Sequence, residues 1–172
     1  AGVQPALKRG GLPGSEDWVY LETMVPGSTP LARLARVMKP DEITETTAVA
    51  DWMLDTIDAF HENGRYLIEL ADTLSDEPVL LIIDQFEELF TLCYDEEERA
   101  AFVANILNLA QARQKPHRVV ITMRTDYESY LSKHPLLLRM FEQGEVRVTA
   151  MTAAELREAI EGPAEAVGLK FD

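Results

Sequence analysis

The sequence predicts an α/β fold in which a parallel sheet is flanked by helices. Two segments, Val79–Ile83 and Val119–Met123, are apolar on both faces rather than at alternate positions. Strands of this kind are covered by helices on both sides, as in parallel sheets. Helical patterns alternate with these strands along the chain, which favours a doubly wound sheet.

The chain before the first of these two strands contains one further strand and several helices. Residues 1–9 read as the end of a helix, and Trp18–Val25 reads as a strand that Pro26-Gly27 terminates. A helix is expected to start at Thr29, with Pro30 in its first turn. Its predicted apolar face is Leu31, Leu34, Ala35 and Met38, and Pro40 ends it. Two more helices are predicted at Thr47–Glu62 and Arg65–Leu74.

Between the two apolar strands lies a helix with a clear start signal. Asp95 is followed three residues later by Glu98, the spacing of a capping box. The buried stripe expected for this helix consists of Phe102, Val103, Ile106, Leu107 and Ala110.

The C-terminal part is predicted to contain one strand and one helix. Val146–Val148 reads as a short strand. Thr152 and Glu155 repeat the capping-box spacing, so a helix should begin there. Gly162-Pro163 is expected to end that helix, because proline disrupts a helix interior.

Composition excludes several classes of function. The 172 residues suffice for one sizeable core, with 47% hydrophobic and 27% charged residues. The net charge of −14 argues against binding nucleic acid, because an acidic surface repels phosphates. No apolar run reaches the length of a membrane span, so no membrane association is expected. Cys93 is the single cysteine, which fits a reducing, cytoplasmic compartment and a small buried side chain.

Charged residues follow both apolar strands, where parallel sheets bind ligands. Asp84 directly follows the first strand, and a carboxylate there is suited to holding Mg²⁺ through water. Glu87 and Glu88 come next and are candidates to orient or deprotonate an attacking water. Arg124 follows the second strand, where a guanidinium can neutralise a γ-phosphate. These positions predict a nucleotide site at one edge of the sheet.

Structural roles are the alternative for each of these residues. Glu87 and Glu88 can simply favour the first turn of a helix, where carboxylates suit the helix dipole. Asp126 can act as an N-cap, and Arg124 can pair with Asp84. The conjunction of an acid after one strand and a base after the next favours the nucleotide site.

Three strings carry a family resemblance: LLIIDQFEELF, RVVITMRTDY and LREAIEGPAEAVGLKF. With them the chain resembles the novel STAND class of P-loop NTPases, bacterial signalling ATPases often joined to repeat arrays. The resemblance implies that Asp84 is the Walker B aspartate that holds Mg²⁺. It places Glu87 and Glu88 at the acidic pair that activates water, with Glu87 favoured as the base. Arg124 falls at the sensor position, in contact with the nucleotide.

The same resemblance predicts the domain organisation. Residues 1–161 would be the P-loop NTPase-like core. Residues 162–172 would be a hinge, formed by Gly162 and Pro163, and the start of a helical or winged-helix segment.

One motif of such NTPases is absent from the sequence. There is no G-x-x-x-x-G-K-[ST] string, which supplies most phosphate contacts. In the family this loop would stand just upstream of residues 1–9. We therefore expect a fragment that lacks the first strand and Walker A motif and is inactive by itself. A naturally degenerate domain is the alternative, which the intact acidic cluster disfavours. ATP and Mg²⁺ are expected as cofactors of the intact protein, and none in the fragment.

The missing strand would leave an open edge on Val119–Met123, which proteins normally cover. Either Val146–Val148 moves beside it, or two chains meet along it.

Three functions are compared. The leading one is a signalling ATPase whose nucleotide cycle switches conformation or oligomeric state, with repeat or effector domains of the same polypeptide as partners and possible self-association. The second is a catalytically silent scaffold that recruits partners through Met24, Met38, Met53 and Phe141. The third is metal-dependent hydrolysis with a histidine, which the spacing of His61, His117 and His134 disfavours.

Overall fold

The computed structural model describes residues 2–169 of the chain. These residues divide into two compact units, with the boundary between Arg139 and Met140. The larger unit contains a three-stranded sheet and most of the helices. Within residues 2–169, no helix is long and apolar enough to cross a lipid bilayer.

The sheet is parallel throughout, as predicted. Its strands are β1 (Val19–Tyr20), β2 (Val79–Ile83) and β3 (Arg118–Ile121), in the spatial order β1-β2-β3. β2 lies in the centre and is almost completely buried. The prediction that the two apolar segments lie side by side is therefore confirmed.

The first strand is shorter than the predicted Trp18–Val25. Pairing with β2 stops after Tyr20 and resumes in a single bridge between Met24 and Ile83. β1 advances four residues between these pairs while β2 advances three, from Leu80 to Ile83. The extra residue interrupts the ladder in the manner of a bulge. Only the two residues before it keep regular strand pairing.

Nine helices surround or follow the sheet in the described part of the chain. They are α1 (Val3–Lys8), α2 (Pro30–Val37), α3 (Thr46–Glu62), α4 (Tyr66–Leu74), α5 (Glu88–Thr91), α6 (Glu96–Ala110), α7 (Glu128–Leu131), α8 (Pro135–Gly144) and α9 (Ala153–Ala166). Single 3₁₀ turns lie at Ser15–Asp17 and Thr125–Tyr127. The short helices α5, α7 and α8 were not predicted.

Helix α2 confirms its sequence pattern. Pro30 occupies the first turn, where its missing N–H costs no hydrogen bond. The predicted face is fully buried, with Leu31, Leu34, Ala35 and Met38 at most 1% exposed. The helix ends before Pro40, as expected.

Helix α6 is the centre of the helical packing. It contacts α2, α3, α4 and β3. Asp95 caps it by accepting hydrogen bonds from the N–H groups of Glu97 and Glu98. The return bond expected of a capping box goes elsewhere, because the Glu98 carboxylate accepts the N–H of Leu31 at 3.2 Å. Glu98 thereby joins the start of α2 to the start of α6.

The prediction of a strand at Val146–Val148 is wrong. These residues have no regular structure, and Val146 and Val148 are 84% and 94% exposed. A strand of this length needs a neighbouring strand to satisfy its backbone groups, and the sheet of the described residues contains only β1, β2 and β3. The proposal that this segment covers the open edge of β3 is therefore also wrong.

Helix α9 begins as predicted and ends later than predicted. Thr152 and Glu155 form the complete capping box. The helix then continues through Gly162 and Pro163 to Ala166, so the expected end at Gly162-Pro163 is wrong. A proline removes one hydrogen bond of a helix, and here the turns on both sides persist. The predicted domain boundary and hinge at residues 161 and 162 stay predictions.

Candidate functional site

The carboxyl ends of β2 and β3 lie at the same edge of the sheet. Ile83 is paired with Ile121 in parallel register, and each is the last residue of its strand. Asp84 follows the first strand directly, and two residues separate Arg124 from the end of the second. Both predicted site residues therefore leave neighbouring strands on the side where parallel sheets bind ligands.

Asp84 is held in place by its backbone and its side chain. Its N–H donates a hydrogen bond to the carbonyl of Met24 at 2.8 Å. Its carboxylate oxygen Oδ1 accepts a hydrogen bond from the hydroxyl of Thr122. The side chain is half-buried rather than freely solvated. The carboxylate is thus fixed at the end of β2 by the chain that leaves β3.

The turn after Asp84 is attached to the same residue. The N–H of Gln85 donates to Oγ1 of Thr122 at 3.1 Å, and the N–H of Phe86 donates to its carbonyl at 2.9 Å. Gln85 has a φ of 51°, which only a minority of residues other than glycine adopt. Three consecutive residues therefore use Thr122 as a partner, and the turn departs from the strand direction.

Phe86 anchors the turn in the core. It is 1% exposed, and its ring centroid lies 5.7 Å from that of Phe90 and 6.4 Å from that of Phe102. Aromatic side chains of this size contribute strongly to core stability. The two phenylalanines of the DQFEELF string thus fix α5 against the edge of the sheet.

Glu87 and Glu88 lie at the start of α5. Glu87 occupies the N-cap position without making a capping hydrogen bond, and Glu88 is the first helical residue. The Oε2 atom of Glu87 is buried and has no hydrogen-bond partner within the described part of the chain. A buried carboxylate oxygen without a partner is costly and requires an explanation. The structural alternative, a carboxylate that favours the first turn of a helix, therefore suits Glu88 better than Glu87.

Arg124 does not pair with Asp84. Its guanidinium forms a bidentate ion pair with Asp126, with Nε–Oδ1 at 3.1 Å and Nη2–Oδ2 at 2.8 Å. It also lies 5.7 Å from the ring centroid of Tyr127. Asp126 raises the pKa of Arg124 further above its usual value. The side chain is 68% exposed, so it is charged and accessible.

Two structural alternatives for these residues are accordingly wrong. The partner of Arg124 is Asp126, and the partner of Asp84 is Thr122. Asp126 lies inside the 3₁₀ turn Thr125–Tyr127, whose N-cap position is taken by Arg124, so Asp126 is not an N-cap.

The residues at this edge fit one-carboxylate coordination of Mg²⁺. This ion takes oxygen ligands and retains several waters, so one or two carboxylates and substrate phosphates complete its shell. Asp84 supplies a fixed carboxylate of this type. No cluster of three or more histidine, cysteine or carboxylate side chains suited to a metal ion occurs among residues 2–169. A Mg²⁺ ion held by Asp84 would therefore need waters or phosphate oxygens to complete its shell.

The three histidines lie apart from one another in the structure. His61 is exposed near the end of α3, and His117 is buried beside the start of β2. His134 follows α7 and stacks on Phe90. None of the described contacts joins a histidine to Asp84.

Thr122 is the residue of this edge that the sequence interpretation missed. It immediately follows β3 and is the one hydroxyl in an otherwise apolar segment. A polar side chain at the end of a buried parallel strand is the available signal, because such ends face the ligand edge.

Comparison with known proteins agrees with the sequence strings. No curated protein and no solved structure matches the chain. The family model Novel STAND NTPase 1 matches residues 1–172, which is the whole sequence. The resemblance stated above is thereby confirmed, and the chain belongs to the Novel STAND NTPase 1 family.

Proposed function

We propose that this chain provides the acidic half of an ATP site, and that ATP binding and hydrolysis switch the conformation or oligomeric state of the polypeptide to which it belongs. The observation that carries the proposal is the buried Oε2 of Glu87, which has no hydrogen-bond partner among residues 2–169 and is close in sequence to the fixed carboxylate of Asp84. A buried polar atom without a hydrogen-bond partner is rare in folded proteins, and a catalytic role is one explanation for it.

Each residue has a defined task in this proposal. Asp84 would hold Mg²⁺ through water, and the ion would neutralise charge on the β- and γ-phosphates. Glu87 would accept a proton from the water that attacks the γ-phosphorus, while the bond from that phosphorus to the bridging oxygen breaks and ADP leaves. Oε2 of Glu87 would be the oxygen that accepts that proton, once the attacking water is bound beside it.

Arg124 would contact the γ-phosphate by exchanging its partner. In the structure its guanidinium holds Asp126 in a bidentate pair. Phosphate offers the same fork geometry, so a bound nucleotide can replace the carboxylate. Its high exposure leaves the side chain free to turn.

The partners of this switch would be repeat or effector domains of the same polypeptide and further copies of it. These partners and a cytoplasmic location follow from the family's signalling role, so both belong to the proposal. The acidic surface, with a net charge of −14, disfavours nucleic acid.

The scaffold alternative loses half of its proposed surface. Met24 and Met38 are 4% and 1% exposed and belong to the core. Side chains buried to this extent stabilise the fold and are not available to a partner. The ATPase proposal therefore has the better support.

The test uses a longer polypeptide that carries the sequence upstream of residue 1, including a phosphate-binding loop. Isothermal titration calorimetry should detect Mg-ATP binding to it, and Asp84→Asn should weaken the metal dependence. Glu87→Gln should lower kcat about 10²- to 10⁴-fold with little change in ATP affinity. The chain of residues 1–172 alone should give no heat with Mg-ATP.

Two matched variants serve as controls. Glu88→Gln should reduce kcat much less than Glu87→Gln, and Glu77→Gln, before the amino end of β2, should leave it unchanged. Failure of the longer polypeptide to bind Mg-ATP would sink the proposal. Equal losses in Glu87→Gln and Glu88→Gln would remove the assignment of the base.

A further inference from the structure

A cleft of about 380 Å³ lies against α5, and none of its lining residues has a role in the proposed ATP site. Its walls come from α5, the first turns of α6, and α7 with the residues that follow it. The lining residues are Phe90, Glu96, Arg99, Ala100, Tyr130, Lys133 and His134.

One wall of the cleft is aromatic. The ring of Phe90 stacks on Tyr130 with centroids 5.6 Å apart and on His134 with centroids 6.0 Å apart. The interplanar angles are 25° and 30°, so the Phe90 ring is stacked, with a moderate tilt, on each of the other two. This stacking fixes the orientation of the His134 imidazole, whose ring nitrogens have no hydrogen-bond partner within the described part of the chain.

The second feature of the cleft is its positive charge. Arg99 is 20% exposed and is held by the carbonyl of Cys93, to which its Nη1 donates. Lys133 has its Nζ 5.7 Å from the ring centroid of Tyr130 and forms no ion pair among the described residues. Glu96 supplies the one carboxylate of the described lining, 3.4 Å from Nη2 of Arg99 and 88% exposed.

The environment of His134 reflects these charges. Burial lowers the pKa of His134, and the positive charges of Arg99 and Lys133 lower it further. The residues that line the cleft together with His134 come from three parts of the chain. They are Arg99 and Glu96 from α6, Lys133 and Tyr130 from α7 and its following turn, and Phe90 from α5. In a chain of net charge −14, a positive cleft is a local exception.

We infer that this cleft is a binding site for a phosphate-type dianion, with Lys133, Arg99 and His134 as its contacts. Lys133 supplies a mobile point charge, and Arg99 supplies a fixed guanidinium. A phosphate group offers two charges and three acceptor oxygens, which matches three nitrogen-bearing side chains lining one cleft better than one carboxylate does. The site does not depend on the proposed ATP site at Asp84.

The chain offers a direct measurement because it has only three histidines. Imidazole signals of His61, His117 and His134 can be followed by NMR during titration with inorganic phosphate in a phosphate-free buffer. Phosphate should shift the His134 signals saturably and raise the pKa of His134, because a bound dianion favours the imidazolium. The His61 and His117 signals serve as internal references and should not move.

Two lysine variants test the contact. Lys133→Met removes an exposed ammonium, so it should fold normally and weaken phosphate binding at least about tenfold. Lys8→Met is the matched control, because Lys8 also lies over a tyrosine ring, with its Nζ 5.0 Å from the centroid of Tyr20. It should leave phosphate binding unchanged.

A second ligand, benzoate, tests whether the cleft prefers a phosphate dianion to a carboxylate with a single charge. Benzoate carries one charge and a planar ring, and it should bind at least about tenfold more weakly than inorganic phosphate, since it lacks the second charge. Benzoate binding as tightly as phosphate would overturn the assignment of ligand class. Equal shifts of all three histidines, no shift of His134, or unchanged affinity in Lys133→Met would overturn the site.

Discussion

The hydroxyl of Thr122 lies between the carboxylate of Asp84, to which it donates, and the N–H of Gln85, from which it accepts at 3.1 Å. One side chain from the end of β3 thus determines both the position of the acidic residue and the direction of the chain after it. This coupling joins the two strands at the edge where the ATP site is proposed.

Removal of that hydroxyl should destabilise the fold. Thr122→Val keeps the shape of the side chain and loses both hydrogen bonds, so the free energy of unfolding should fall by about 0.5–1.5 kcal/mol. Thr122→Ser keeps the hydroxyl and should cost less. Urea denaturation of both variants measures the difference, and equal losses would contradict a role for the hydroxyl.

Replacing Gln85 with glycine should stabilise the fold. Its φ of 51° places a side chain in the left-handed region, which glycine occupies without steric cost. Gln85→Gly should raise the free energy of unfolding by about 0.5–1 kcal/mol, after the entropy cost of glycine is subtracted. The control is Gln143→Gly in α8, which should lose about 0.5–1 kcal/mol in thermal or urea unfolding. A loss in both variants would argue against strain at Gln85.

Asn105 should be essential for the helical packing. Its Oδ1 accepts the N–H of Leu67 at 3.2 Å, and its Nδ2 donates to the carbonyl of Phe60 at 3.0 Å. Asn105→Leu would leave these buried groups unpaired and should cost about 2–4 kcal/mol. At the half-buried Asn108, Nδ2 donates to the carbonyls of Gly64 and Ala104, each at 2.9 Å, so Asn108→Leu should cost about 1 kcal/mol. Chemical denaturation checks the order, and a larger loss in Asn108→Leu would refute it.

His117 should make stability depend on pH. Its Nδ1 accepts the N–H of Val79 at 3.1 Å, and its Nε2 faces Asp72 at 3.3 Å. Burial lowers the pKa of His117 below its usual value, despite the opposing effect of Asp72. The unfolded chain therefore binds the proton first as pH falls below about 6.5, and the free energy of unfolding decreases.

A pair of variants isolates this contribution. His117→Asn retains an acceptor for Val79 and cannot titrate, so its stability should vary less between pH 7 and pH 5 than that of the unaltered chain. His61→Asn, at an exposed position, is the control and should keep the original pH dependence. The account fails if His117→Asn shows the same slope in urea melts at several pH values.

The sequence was most informative where local pattern and burial agree. β2 is apolar on both faces and is central in the sheet, and Asp95 caps α6 as its position predicts. Helix α6 shows the limit of such patterns. Because it contacts three helices and a strand, a single apolar stripe describes it poorly. Asn105 and Leu109 are buried, whereas the predicted Leu107 and Ala110 are only half-buried.

Tertiary partners account for what the sequence interpretation missed. The Glu98 carboxylate accepts the N–H of Leu31 instead of completing the capping box with Asp95. Thr122 forms hydrogen bonds with Gln85 and Asp84, which lie 37 and 38 positions away along the chain. Neither choice is visible from neighbouring residues. Val146–Val148 has the composition of a strand, yet within residues 2–169 it pairs with no strand, so composition alone was misleading.

Pro163 within α9 has a consequence for how that helix responds to force. Proline has no N–H, so the carbonyl of Ala159 receives no bond from position 163, and Gly162 beside it adds backbone freedom. A bending force on α9 should therefore act first at this turn, which lacks that hydrogen bond, while the capping box at Thr152 keeps the first turn bonded. The hinge at Gly162 and Pro163 itself stays a prediction.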